Sequence, residues 1–257
     1  MKIATVGKGG SGKTTVAGTL SRILARGGGK VLAIDGDPNP NLAMTLGISR
    51  EAADDIRAIP SSVMQVVERE GDRRLAMTVS EDELISNYAA TAPDGIELIV
   101  MGKPVHGSAG SGCMCASHRA VRGLISEMSG HGEHTVTDME AGLEHLKRST
   151  ARNVDLMLVV AEPYYRALEA AARTFSLARE LGIPHIYVVA NKVKNASDLA
   201  AIETFCTQHE MPILVSRCGM ADRSCSAPSS GRYSDPGYCD GDRAGHGPRG
   251  RTPWHPD

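Results

Sequence analysis

A glycine-rich loop near the start of the chain carries the clearest chemistry. Residues 7–14 read GKGGSGKT, which satisfies the pattern G-x-x-x-x-G-K-[ST] between a predicted strand and a predicted helix. Glycines let backbone N–H groups turn inward around phosphate oxygens, and the helix N-terminus adds its positive end. We expect Lys13 to reach the β- and γ-phosphates, Thr14 to hold Mg²⁺ and Thr15 to contact the α-phosphate of a nucleotide. The other predicted contacts of this phosphate loop are Gly9, Gly10, Ser11 and Gly12.

Carboxylates end two of the predicted buried strands. Asp35 is the last residue of the run KVLAID, and Asp37 lies two residues after it. Asp138 is the last residue of the run HTVTD. Because the carboxyl ends of parallel strands face the ligand crevice, we expect these side chains to lie near the phosphate loop. Asp138 is the candidate for holding Mg²⁺ through water, with Asp35 in support. For the Asp37-Pro-Asn segment, a helix N-cap is the competing interpretation.

Short apolar runs alternate with amphipathic stretches along most of the chain, and residues 50–95 fit short helices on one side. The predicted strands are Lys2–Val6, Lys30–Asp35, Ile96–Met101, His134–Asp138, Asp155–Val160, His185–Ala190 and Pro212–Val215. The predicted helices are Gly12–Ala25, Ala120–Met128, Tyr165–Leu181 and Ser197–Gln208. This alternation predicts an α/β fold, a single P-loop NTPase domain with a mostly parallel sheet and helices on both faces.

Composition limits the class of partner. The 257 residues carry 28 Lys and Arg against 30 Asp and Glu, a formal net charge of −2, so a basic nucleic-acid surface is not expected. No stretch has the roughly 18 uninterrupted apolar residues of a membrane helix, and the chain opens directly into the phosphate loop. We therefore expect a cytoplasmic protein without nucleic-acid or membrane partners, whose six cysteines are thiols or metal ligands.

The composition changes abruptly near Ser216. Residues 216–257 contain no Val, Ile, Leu or Phe and are rich in Gly, Ser, Pro and Arg. Such a segment buries too little apolar surface to offset the entropy of ordering it. The predicted organisation is therefore an ATPase-type domain over residues 1–215 and a disordered polar tail over 216–257.

Two cysteines separated by one residue form the second chemical feature. In an extended segment Cys113 and Cys115 point the same way, so their thiolates can share a soft metal such as Zn²⁺ or Ni²⁺. They supply two of the four ligands of a tetrahedral site, and a two-fold dimer would supply the other two. The alternative is a pair of idle thiols.

The extra lysine of the loop, Lys8, gives the segment KGGSGKTT, which resembles the deviant Walker A ATPases. That class includes the nitrogenase iron protein, septum-site and plasmid-partition ATPases and metal-cluster accessory ATPases. The resemblance implies that Lys8 reaches the phosphates of a partner subunit and that Asp37 orients or deprotonates the attacking water. It also implies that Asn191 reads the adenine edge, although a plain turn residue is the competing interpretation. The expected catalytic residues are Lys8, Lys13, Asp37 and Asp138.

Further segments narrow the resemblance to one family. AIDGDPNPNLAMTLGI, the C-M-C that follows VMGKP, DMEAGLEHL and AEPYYRALEAA resemble the accessory ATPases that insert nickel into carbon monoxide dehydrogenase. The resemblance runs from Met1 to about Leu214. It implies a homodimer that binds ATP or ADP with Mg²⁺, holds nickel or zinc on Cys113 and Cys115 of both subunits, and acts on carbon monoxide dehydrogenase as its client.

Three other functions compete with this hypothesis. A partition or septum-positioning ATPase would need a basic DNA-facing surface or an amphipathic membrane helix. A metallochaperone would use nucleotide only to lock its dimer, without significant turnover. An iron–sulfur reductase would need a cysteine shortly after Asp138, where the chain has DMEAGLEHL.

The end of the chain differs from the resembled family. From Arg217 the polar tail replaces the family's apolar continuation, as a change of reading frame would produce. An intact mass of the protein from its native source that matches this tail would contradict that explanation.

Overall fold

The computed structural model describes residues 1–37, 39–69, 72–101, 133–139 and 154–214. The strands in these ranges are β1 Lys2–Gly7, β2 Val31–Asp35, β3 Met64–Arg69, β4 Asp72–Met77, β5 Ala90–Ala92, β6 Ile96–Val100, β7 His134–Asp138, β8 Leu156–Ala161, β9 His185–Ala190 and β10 Ile213–Leu214. Eight of these strands form one sheet in the order β10-β9-β8-β1-β7-β2-β6-β5. Every pairing in this sheet is parallel except that of β5 with β6.

Six α-helices lie in the same part of the chain. They are α1 Lys13–Arg26, α2 Leu42–Leu46, α3 Arg50–Asp55, α4 Glu81–Tyr88, α5 Tyr165–Glu180 and α6 Ala196–Gln208. Single 3₁₀ turns cover Ser61–Val63 and Pro93–Gly95. Within the described residues, none of these helices combines the length and the apolar character that crossing a membrane requires.

The sheet is covered on both faces, because successive strand residues point to opposite sides. Leu32 of β2 belongs to the apolar cluster that contains Leu168 of α5 and Ile202 of α6. Its neighbour Ala33 belongs to the cluster on the other face, with Ala17 of α1. Strand β2 is therefore apolar on both sides, and the pairings confirm the predicted mostly parallel α/β sheet.

Residues 50–95 differ from the prediction of short helices. Helices α3 and α4 are present, but β3 and β4 pair as an antiparallel hairpin between them, from Met64 opposite Met77 to Arg69 opposite Asp72. Among the side chains of β3 that the structure describes, Met64 is buried, whereas Gln65 and Val66 are exposed. The sequence of this strand therefore carries little of the regular apolar alternation by which strands are predicted.

Three sequence features lie outside the described residues. These are the Cys113 and Cys115 pair, the helix predicted at Ala120–Met128, and the tail over 216–257. The predicted metal site and the predicted domain boundary at residue 215 therefore stay predictions.

Candidate functional site

The phosphate loop joins β1 to α1 at the centre of the sheet, since β1 lies between β7 and β8. The Ser11 N–H donates to the Lys8 carbonyl at 3.1 Å, and the Val16 N–H donates to the Gly12 carbonyl at 3.0 Å as α1 begins. Three glycines of the loop, Gly7, Gly10 and Gly12, adopt a positive φ. Gly7 has φ +148° and Gly12 has φ +95°, conformations that residues with a Cβ rarely adopt.

The loop forms a cradle lined by polar groups. A Cβ on Gly7 would lie 2.5 Å from the Val160 carbonyl oxygen, and a Cβ on Gly12 would collide with the Asn191 amide. The Ser11 side chain is fully buried, and its Oγ has no hydrogen-bond partner among the described residues. Lys13 is also buried, with its Nζ 3.4 Å from the Lys8 carbonyl oxygen. An orphaned hydroxyl and a buried cation in a glycine cradle fit a phosphate group.

Asp138 lies at the end of β7, beside the phosphate loop. Its carboxylate accepts hydrogen bonds from the Thr14 side chain and from Thr5 Oγ1, the latter at 3.2 Å. Burial raises the pKa of Asp138 above its ordinary value, although the Thr14 hydrogen bond and the Lys13 charge act in the opposite direction. The structure therefore brings the predicted Lys13, Thr14 and Asp138 together around one buried carboxylate.

Asp35 is the second buried carboxylate of the site. It stands opposite Asp138 in the parallel pairing of β2 with β7. Its Oδ2 accepts from the Leu42 N–H at 2.8 Å, at the start of α2, and its Oδ1 accepts from the Asp37 N–H at 3.2 Å. Burial raises the pKa of Asp35 to about 7, with a further upward contribution from the Asp138 charge.

This pKa predicts that the nucleotide-free protein loses stability as the pH rises. The unfolded carboxyl ionises near 3.8, whereas the folded one keeps its proton until about 7, so the stabilisation is complete below pH 3.8 and is lost on approaching pH 7. The effect on the free energy of unfolding is at most about 4 kcal/mol. Urea unfolding between pH 4.5 and 7.5 measures it, and Asp35→Asn should flatten the profile; an equal slope in the variant would contradict the assignment.

Asp37 is half-buried next to this pair. Its charge raises the pKa of both Asp35 and Asp138, and its Oδ1 accepts from the Asn39 N–H at 2.9 Å. The competing N-cap interpretation fails for Asp37, because the carboxylate that accepts from the start of α2 is Asp35. Asp37 is thus more exposed than its two buried neighbours, Asp35 and Asp138.

The oxygen ligands at this point fit Mg²⁺. Thr14, Asp138 and Asp35 supply a hydroxyl and two carboxylates, and Mg²⁺ usually takes its remaining ligands from substrate phosphates and water. In the described ranges, no group of three or more His, Cys, Asp or Glu side chains could hold a metal ion by itself.

The remaining predicted residues lie around the mouth of the loop. Thr15 is exposed in the first turn of α1. Lys8 is exposed, with its Nζ 3.4 Å from the Tyr164 hydroxyl and 5.0 Å from the centre of that ring. Asn191, predicted to read adenine, has its Nδ2 2.8 Å from the Ser11 carbonyl oxygen. In this structure one of its two amide N–H donors is thus used by the phosphate loop.

Sequence reasoning missed three side chains that join this site. Lys192 donates to the Gly10 carbonyl at 2.5 Å and pairs with Glu162 at 2.7 Å, and Tyr164 donates to the same carboxylate at 2.8 Å. Burial would raise the pKa of Glu162, but the hydrogen bonds of Lys192 and Tyr164 and the charges of Lys192 and Lys8 hold it below its ordinary value. Glu162 could have been found from its position just after β8, because the carboxyl ends of parallel strands face the ligand crevice. The same rule predicted Asp35 and Asp138.

Sequence comparison places these features in a known group. The family described as the CobQ/CobB/MinD/ParA nucleotide binding domain matches residues 2–231. The carbon monoxide dehydrogenase accessory protein CooC of Rhodospirillum rubrum is 38% identical over 79% of this chain and 78% of its own. An ATP-binding protein of Methanocaldococcus jannaschii is 40% identical over 76% of this chain and 75% of its own.

Solved structures agree on the fold. The septum site-determining protein MinD of Pyrococcus horikoshii, determined with Mg-ADP, superposes with a TM-score of 0.57 at 20% identity. The match covers 83% of this chain and 78% of that one. At this identity the likeness establishes the architecture of the domain, in agreement with the central sheet and the loop after β1.

Proposed function

The chain belongs to the CobQ/CobB/MinD/ParA family of nucleotide-binding domains, and we propose that it is an ATP-hydrolysing accessory factor of carbon monoxide dehydrogenase. The observation that carries the ATPase assignment is the buried Asp138 carboxylate within reach of the Lys13 charge in a glycine cradle, with the buried Asp35 opposite Asp138 in the neighbouring strand. The client is proposed from the similarity to CooC, which extends over most of both chains.

Each group of the site has a separate role in the proposed phosphoryl transfer. The backbone N–H groups of the loop bind the phosphates, and Lys13 places a positive charge where the transferred group develops negative charge. Mg²⁺, held by Thr14 and through water by Asp138 and Asp35, would neutralise further phosphate charge. Asp37, the more exposed of the three acids, orients or deprotonates the attacking water.

We assign Lys8 a role across a homodimer. Its side chain is exposed and directed to Tyr164, whereas the cradle of its own subunit is served by the buried Lys13. A lysine at this position of the deviant Walker A loop reaches the partner's phosphates in the class that the chain resembles. In such a dimer Lys8 would stabilise the transition state as an arginine finger does.

The cargo of the dimer is proposed to be nickel, with zinc as the competing occupant. Cys113 and Cys115 supply two soft thiolates per subunit, so a two-fold axis through the pair would complete four ligands. Nucleotide-dependent closure would then bring the two halves of the metal site together. Delivery to carbon monoxide dehydrogenase would follow when hydrolysis reopens the dimer.

One experiment tests the metal and the dimer together. Molar mass and bound nickel and zinc per protomer are measured with ADP and with a non-hydrolysable ATP analogue, for the unaltered protein and for Cys113→Ala/Cys115→Ala. We expect about half a metal ion per protomer in a dimer with the ATP analogue, because one four-thiolate site is shared by two chains. The double variant should still dimerise and should lose the metal.

The other outcomes separate the competing functions. A dimer whose metal content does not depend on the cysteines would contradict nickel handling and would leave an ATPase with another cargo. Binding to DNA or to anionic vesicles by that dimer would favour the partition or septum-positioning class. Metal binding without phosphate release would favour the metallochaperone that uses nucleotide as a lock.

A further inference from the structure

Two successive carbonyl groups of the phosphate loop are held by the residues that follow β9. The Asn191 Nδ2 donates to the Ser11 carbonyl at 2.8 Å, and the Lys192 Nζ donates to the Gly10 carbonyl at 2.5 Å. Lys192 adopts φ +56°, a backbone conformation that residues other than glycine seldom take. The chain therefore accepts an unfavourable backbone at the residue that reaches the loop.

Lys192 is itself held from the other side. Its Nζ lies 2.7 Å from Glu162 Oε1, and the Glu162 side chain is 10% exposed against 51% for the lysine. The second carboxylate oxygen accepts from the Tyr164 hydroxyl at 2.8 Å. The ammonium group thus bridges a nearly buried carboxylate at the end of β8 and a carbonyl of the phosphate loop.

Planarity of the peptide group makes this contact relevant to phosphate binding. A carbonyl and the N–H of the next residue share one plane and point in opposite directions, so fixing the Gly10 carbonyl fixes the direction of the Ser11 N–H. That N–H donates to the Lys8 carbonyl at 3.1 Å, which closes the turn of the loop. The orientation of this peptide therefore sets the shape of the cradle.

We propose that Lys192, held by Glu162, is a positioning residue that keeps the phosphate loop in its nucleotide-binding conformation. The inference rests on the proposed binding of ATP at this loop. Lys192 acts through the Gly10 peptide, so its removal lowers nucleotide affinity without removing any phosphate ligand. Glu162 acts one step further away, by holding the ammonium group over the loop.

The test compares Lys192→Met, Lys192→Arg and Glu162→Gln with the control Lys194→Met, which removes an exposed positive charge two residues away. The dissociation constants of ATP and ADP are measured by calorimetry with Mg²⁺, and the Tm of each nucleotide-free protein is recorded. Lys192→Met should weaken binding about 10-fold, since it removes a charged hydrogen bond to the loop. Lys192→Arg should restore most of this loss, and Lys194→Met should change affinity less than about 2-fold.

A double variant tests the connection between the two residues. If Glu162 acts through Lys192, Lys192→Met/Glu162→Gln should bind ATP no more weakly than Lys192→Met alone. Equal affinities for Lys192→Met and Lys194→Met would overturn the inference while the unaltered protein still binds ATP. A parallel fall of Tm and affinity without rescue by arginine would also overturn it. Failure of the unaltered protein to bind ATP would overturn the proposed function itself, and this inference with it.

Discussion

Lys13→Ala is expected to lower the rate of ATP hydrolysis by about 1,000-fold, because the lysine supplies the positive charge at the transferred phosphoryl group. The side chain is buried, and its ammonium group stands within the loop near the Lys8 carbonyl. Its loss also removes the charge that holds down the pKa of Asp138, so that carboxyl would bind its proton more tightly. The variant is therefore expected to lose a phosphate contact and to contain a smaller fraction of ionised Asp138.

The measurement is phosphate release under single-turnover conditions at saturating ATP, which separates chemistry from nucleotide affinity. Lys194→Ala is a suitable control, since it removes an exposed lysine outside the loop. A Lys13→Ala protein that hydrolyses ATP within 10-fold of the unaltered rate would contradict the assignment of the phosphate loop as the catalytic site.

Gly7→Ala is expected to cause a large loss of stability. The added Cβ would lie 2.5 Å from the Val160 carbonyl oxygen, a backbone atom of the neighbouring strand β8, and the residue has φ +148°. Because neither strand can move without breaking the pairing of β1 with β8, we expect the free energy of unfolding to fall by about 3 kcal/mol. Urea unfolding measures this change, and ATP affinity should fall with it.

Gly10→Ala is the matched comparison, since it lies in the same loop with φ +80° and no atom within 4 Å of the added Cβ. It should show only the backbone strain, about 1 kcal/mol. Equal losses in the two variants would mean that strain alone governs the loop. The close approach of β8 would then contribute nothing measurable.

The fold and the centre of the site were predictable from local patterns. The runs of β1 and β2 are largely apolar and buried on both faces, so they stand out in the sequence without knowledge of their partners. Strand β7 is buried as well, although Val136 is the one apolar residue of its sequence HTVTD. The phosphate loop, Asp35 and Asp138 lie at the ends of those runs, where the topology of parallel sheets places ligand-binding groups. A short motif and a strand end were enough to predict them.

The surroundings of the loop were not predictable in the same way. Glu162 and Lys192 belong to different strand ends, and their meeting with Gly10 depends on the order β9-β8-β1. No spacing in the sequence reports that order. The role of Asn191 shows the same limit, because an amide after a strand is equally suited to a base edge and to a loop carbonyl.

Because Asp35 stands opposite Asp138, the site forms only when β2 and β7 pair in the correct register. Because side chains alternate along a strand, a shift of β7 by one residue would bring Thr137 to the position of Asp138 and turn the acid to the opposite face. A misaligned molecule would keep the same strands and helices and would lack the site. The number of nucleotide sites per chain in a purified sample therefore reports the fraction of molecules in which β2 and β7 pair in the correct register. Circular dichroism measures secondary structure and would not distinguish these molecules from misaligned ones.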